Sequence, residues 1–333
     1  ELGIEPPSDV RDFLIRSSGA IAGDTAFQHV RTSSDKEPAL RKAIGAVLSD
    51  PPDGVGAVTV GIGEVFTPGQ KYSRHIGVVA TRAPAVLEPM PRAVELDTAW
   101  LLKGRLLVDW RGLKALVLRP DGSDEKLTPK RNGQEFSVVI MSGHKPGPLD
   151  VQFVGTGPRG PGKLFQVRAE VGRPLPTHMS TTLPPDEGRI ETADAAAALA
   201  FVLLNGDRAK HGLKALGWDP ELARVATDHS REMRDSGFFS HRSPTTGLHP
   251  ERLARAGYRA VSSAENLAMN VSIYEAEQGL MHSLGHRSNI LEKSMSHAGV
   301  GVVGEEREGG SKRWWVTQLF ARPVRDVNPA VES

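Results

Sequence analysis

Cysteine is absent from all 333 residues, which excludes disulfide frameworks, thiolate zinc sites, iron–sulfur clusters and cysteine nucleophiles. Hydrophobic core and hydrogen bonding must hold the chain together, and zero cysteines fit reducing and oxidising compartments alike. Charge of one sign is lacking too, since 41 Lys+Arg stand against 40 Asp+Glu for a formal net charge of +1. That removes the electrostatic case for a nucleic-acid or polybasic membrane partner. Long apolar runs are missing as well. The longest, Ala195 to Leu204, is about half of the roughly 20 residues a membrane-spanning helix needs, and it reads as a buried helix. No export signal is visible, although a start at Glu1 rather than methionine is what removal of one leaves.

Glycine (35) and proline (24) are abundant, which points to many turns and short strands. At about 100–200 residues per domain the length implies two or three domains. Prolines 84, 89 and 91 close a first unit, residues 1–88, read as a small α/β domain with helices at Val10–Ile15 and Ala39–Leu48 and strands at Val58–Val65 and His75–Ala80. Its Ser33-Ser34-Asp35-Lys36 fits S-x-x-K, but the accompanying S-D-N and K-T-G are missing, so a solvated helix entry is the better reading. Residues 89–173 carry regularly spaced short strands, at Gly104–Trp110, Lys114–Leu118, Glu135–Met141, Leu149–Val154 and Leu164–Val171. They are separated by turns such as Asn132-Gly133, and this spacing predicts an immunoglobulin-like β-sandwich acting as a spacer. Residues 174–190 form a Pro/Ser/Thr linker without apolar periodicity, residues 191–325 a third domain, and residues 326–333 a tail.

Seven of the eleven histidines lie between 211 and 297. Thr192 can cap a helix from about Ala193 through Leu213, and Asp219-Pro220 opens another that Gly237 stops. Leu222, Ala226, His229 and Met233 recur at four, three and four residues, so His229 faces inward and reads as a satisfied core histidine. Gly299-Val300-Gly301-Val302-Val303-Gly304 satisfies G-x-G-x-x-G, but Glu305 and Glu306 follow where a dinucleotide site needs a helix N-terminus facing phosphate. A strand with close backbone approach explains it better.

Several short stretches occur in a telling order: Phe239-Ser240-His241, Arg252 to Tyr258, Glu265-Asn266-Leu267-Ala268, Ser283 with Gly285-His286-Arg287, Asn289-Ile290-Leu291, Gly299-Val300-Gly301 and Val316-Thr317-Gln318-Leu319-Phe320. This set resembles the bacterial branch of the CAP superfamily (cysteine-rich secretory proteins, antigen 5, plant pathogenesis-related proteins), also called SCP-like extracellular domains. The resemblance implies a three-layer α/β/α sandwich over residues 191–325, secretion or a periplasmic location, and an open cleft lined by two histidines and two glutamates. His241, Glu265 and His286 match three of those positions, and Asn266 adjoins them. In animal members the second glutamate follows a tryptophan by three residues. Here Leu280 stands at the tryptophan and Ser283 at the glutamate, and a helical wheel turns Glu275 and Glu277 away from Ser283.

Two functions follow as expectations of the resemblance. In the preferred one the cleft (His241, Glu265, Asn266, Ser283, His286) binds a small molecule, lipid, cell-wall component or protein, and no nucleic acid. In the alternative, His241 and His286 hold Zn²⁺ or another divalent ion and Glu265 ligates it or acts as general base of a metal-dependent hydrolase. No H-E-x-x-H or G-x-S-x-G is present to favour hydrolysis.

Overall fold

The computed structural model describes residues 25–32, 36–48, 57–66, 74–158, 160–176, 190–306 and 312–324; the helix expected at Val10–Ile15 lies outside them. The chain divides into two compact units, Glu1–Thr181 and Thr182–Ser333.

In the first unit, strands β1 (Thr25–Thr32), β2 (Ala57–Phe66) and β3 (Arg74–Ala83) form an antiparallel sheet in the order β1-β3-β2, with helix α1 (Lys36–Leu48) against it. Two further sheets follow. One has the order β4 (Ala85–Leu87), β6 (Ala99–Leu106), β10 (Glu135–Met141), β9 (Lys130–Asn132). The other has the order β5 (Ala93–Val94), β12 (Gly160–Val171), β11 (Gly147–Gly157), β7 (Arg111–Leu118), β8 (Asp124–Leu127). They share one core, in which Phe136 of β10 meets Phe153 of β11 at 5.3 Å and Phe153 stacks on Phe165 of β12 at 4.5 Å. The strand expected at Gly104–Trp110 is displaced: β6 begins at Ala99 and ends at Leu106. Its strict exposed–buried alternation from Ala99 places Trp100 and Leu102 in the core, a stronger anchor than the isolated Trp110.

In the second unit, helix α2 (Ala193–Lys210) starts where Thr192 accepts a hydrogen bond from the Ala195 amide (3.1 Å). It ends three residues short of the Leu213 reached by its sequence pattern, because His211 and Gly212 close the last turn. Helix α3 (Pro220–Ser236) is capped by Asp219, which accepts from the Glu221 and Leu222 amides, and is stopped by Gly237 at a left-handed φ of 66°. Its predicted stripe is fully interior: Leu222, Ala226, His229 and Met233 are each at most 1% exposed. Burying an apolar chain such as Leu222 stabilises by about 2 kcal/mol. Helices α4 (His249–Arg255), α5 (Ile273–His282) and α6 (Leu284–Ile290) complete the unit.

The mixed sheet runs β13 (Gly217–Trp218), β15 (His297–Glu306), β16 (Lys312–Pro323), β14 (Ala260–Asn270). Alternate residues of β15 turn to opposite layers. Gly299 and Gly301 lie against the backbone of α3, while Val300 and Val302 pack with Ala196 and Ala200 of α2 and Ile273 and Ala276 of α5. The G-x-G stretch is therefore a strand over which a helix passes closely, and it opens no phosphate site.

Candidate ligand-binding cleft

The candidate site lies where β14 meets the loop after α3. That loop is anchored from below: the buried His229 imidazole donates through Nε2 to the Ser240 carbonyl (3.0 Å), one residue before His241. Burial lowers the His229 pKa. The next turn is held by Glu232, which accepts from the hydroxyls of Ser243 (2.5 Å), Thr245 and Thr246 (3.1 Å). Burial pushes the Glu232 carboxyl up, but those three hydroxyls outweigh it and hold the pKa below the usual range.

Glu265, on β14, is the electrostatic centre. Its side chain is 1% exposed. One carboxylate oxygen accepts from His241 Nδ1 at 2.9 Å and the other from the buried Arg252 guanidinium of α4. Burial alone would raise this carboxyl; the His241 hydrogen bond and the Arg252 charge reverse that and bring it to about 2. With Glu265 ionised, Nδ1 of His241 must be the donor, so neutral His241 carries its lone pair on Nε2. Arg252 also donates to the carbonyls of His241 (3.2 Å) and Gly247 (2.5 Å), tying the loop to the same charge.

The His286 ring, on α6, faces that of His241 with centroids 6.2 Å apart, so the two imidazoles border one small locus. Asn266 is fully buried. Its Nδ2 donates to the His286 carbonyl (3.2 Å) and to Gln318 Oε1 (3.1 Å), and its Oδ1 accepts from Asn289 Nδ2 (2.9 Å). Ser283 stands at the N-terminus of α6 and makes no side-chain cap there.

Glu277, on α5, is not a solvated surface acid. It is 2% exposed and accepts from Gln318 Nε2 at 2.6 Å. Through Gln318 and Asn266 it is linked to the backbone of His286. Burial, and secondarily the negative Asp207, push its pKa up to about 8. Its folded pKa exceeds the ordinary 4.5, so the folded state keeps a proton that the unfolded chain releases. Stability from this group is complete below about pH 4.5 and is lost as pH rises towards about 8. Glu277→Gln should flatten that decline in urea unfolding measured between pH 5 and 8; an unchanged slope would contradict it.

The donor set does not fit a catalytic zinc ion. Such a site takes about three protein ligands and a water, yet both Glu265 oxygens are engaged. His241 and His286 remain without a third donor, and no group of three His, Asp or Glu residues suited to an ion occurs among the described residues. The metal expectation thus loses its carboxylate to Arg252. Arg252, Asn289 and Gln318 stand in the ordered stretches but were given no role there, and Glu277 was set aside by the helical wheel; all four build the site. A usable signal was the rule that a buried carboxylate demands a cation, which makes an arginine between His241 and Glu265 the natural candidate.

Residues 201–320 match the cysteine-rich secretory protein (CAP) family. Two Bacillus subtilis proteins are similar over this region: YkwD, 36% identical over 121 residues (36% of this chain, 45% of that protein), and the membrane protein YlbC, 40% identical over 101 residues (30% and 29%). The chain spans less than half the length of these curated relatives. Among solved structures, an SCP-domain extracellular protein of Bacillus anthracis superposes with a TM-score of 0.35 at 22% identity, covering 72% of this chain and 89% of that one.

Proposed function

We propose, on the premise that residues 201–320 are a CAP-family domain, that the cleft between His241 and His286 is the ligand-recognition site of an exported bacterial protein. The observation that carries this reading is the buried Arg252–Glu265–His241 chain. Removing two charges from water costs several kcal/mol per ion, and such a pair is weak as a stabiliser. What it achieves here is geometry: one imidazole is fixed with Nε2 bare, opposite a second imidazole, in the convergent polar arrangement of small-ligand sites. Ser283 and Asn266 complete the set, Asn266 by holding the α6 backbone. The secretory family supports the exported location. The two-sheet body at residues 84–172 we read as an immunoglobulin-like spacer; its buried acids Asp150 and Glu170 are paired with Arg168 and Arg173.

Calorimetric titration with a muropeptide, a lysophospholipid and zinc chloride tests this. One of the organic probes should give saturable heat that falls about tenfold or more in His286→Ala, an effect worth about 1.4 kcal/mol. Zinc alone should give none. Equal binding by wild type and the variant, or saturable zinc binding lost with His286, would contradict the reading.

A further inference from the structure

Among the described residues, strand β14 is the outer strand of its sheet and pairs only with β16. In an antiparallel ladder alternate residues turn both N–H and C=O away from the partner strand. The carbonyl of Glu265 accepts from Asn289 Nδ2 (3.3 Å), which marks it as one of the outward residues. Leu267 and Met269, two and four positions on, are therefore outward as well. The Val271 amide is taken by Asn270 Oδ1 (2.6 Å). Among the described residues, none bonds the outward groups of Leu267 and Met269. Beyond Asn289 the edge is open.

Open edges are normally blunted by lysine, proline or a bulge. The stretch Leu267-Ala268-Met269-Asn270-Val271 has no lysine or proline, and the register irregularity of β14 lies at its other end, between Ala260 and Ser262. Instead the open end carries exposed apolar side chains: Phe239 (39%), Met269 (40%) and Val271 (47%). Two of them adjoin the nearly buried Trp315, which lies opposite Met269 across the strands and 6.1 Å from the Phe239 ring. Met269 shares its face of β14 with Glu265, four residues or about 13 Å away. A free edge, an apolar shelf and the His241–His286 locus thus follow one another along a single strand.

We propose that the cleft takes an extended peptide, which names the ligand class for the site proposed above and rests on that reading. Its backbone adds to β14 at Leu267 and Met269, an apolar side chain lies on Phe239, Met269 and Val271, and a residue about four positions away reaches His241 and His286. Strand addition takes affinity from main-chain hydrogen bonds and specificity from alternate side chains. An acyl chain would cover the shelf but leave the outward amides unpaired.

The test uses the ¹⁵N-labelled full chain, a pooled library of terminally blocked hexapeptides, and the same library N-methylated at alternate residues. Selected hexapeptides should shift the Leu267 and Met269 amides together with the His241 and His286 imidazoles. N-methylation of the pairing face should weaken binding about tenfold or more. Met269→Pro, which removes an N–H that the β16 ladder does not use, should do the same, as should Phe239→Ala at an exposed site. Hexapeptides that move the imidazoles without these amides, or that bind equally when N-methylated, overturn the edge and leave the cleft standing. A muropeptide or dodecylphosphocholine that moves the imidazoles while no hexapeptide does overturns the peptide. Imidazoles silent to every probe overturn the cleft reading itself.

Discussion

Gly301→Ala should prevent the C-terminal domain from folding. A Cβ at this position would lie 2.0 Å from the Thr227 amide nitrogen and 2.3 Å from the Ala226 carbonyl carbon. Both are backbone atoms of α3, so no side-chain rotation relieves the clash. The helix would have to lift off the sheet, breaking the bond from Ser230 Oγ to the Gly301 carbonyl (2.9 Å) and unpacking Leu222 and Met233. Overpacking of this kind costs upwards of about 3 kcal/mol, and His229 with its hold on Ser240 moves with the helix. Gly279→Ala in α5 is the matched control, because nothing lies within 4 Å of its Cβ. It should be neutral or stabilising by about 0.5–1 kcal/mol. Circular dichroism melts separate the two, and a Gly301→Ala protein with a wild-type melt would refute the close approach of α3 to β15.

Arg252→Met should destabilise the folded chain by about 3–5 kcal/mol near neutral pH. The Glu265 carboxylate would be left buried with His241 alone, and the His241 and Gly247 carbonyls would lose their donor. In the wild type the Glu265 pKa is lowered from 4.5 to about 2, so its contribution is complete above about pH 4.5 and is lost as pH falls through about 2. Without Arg252 the carboxyl rises, so the deficit of the variant should shrink on acidification. Arg252→Met combined with Glu265→Gln should recover part of the loss, since the buried charge is gone. Urea unfolding of the four proteins at pH 7 and pH 4 gives the cycle, and strictly additive losses would show that the two side chains do not interact.

Features carried by local periodicity or by contiguous motifs were legible in the sequence. The stripe on α3 follows from a 3.6-residue period and two unambiguous caps. His241, Glu265, Asn266 and His286 sit in short, ordered stretches, and the structure brings them together. The partners that make the site work were not legible, because sheet register delivers them. Gln318 reaches Asn266 because β14 and β16 pair these residues directly across 52 positions of sequence. Arg252 opens one of the ordered stretches, yet it acquires its role only when α4 is laid beside β14. The helical wheel that set Glu277 apart from Ser283 could not say that Glu277 is interior. In the first unit, Trp100 rather than Trp110 fixes the register of β6, a choice that depends on the opposing sheet.

The central claim is that Glu265 orients His241 to leave Nε2 bare beside His286. A long-range ¹H–¹⁵N correlation spectrum of the imidazole side chains, recorded at a pH where His241 is neutral, measures this directly. The proton should reside on Nδ1 in the wild type, and that preference should be lost in Glu265→Gln. A wild-type spectrum with the proton on Nε2 and Nδ1 bare would contradict the account.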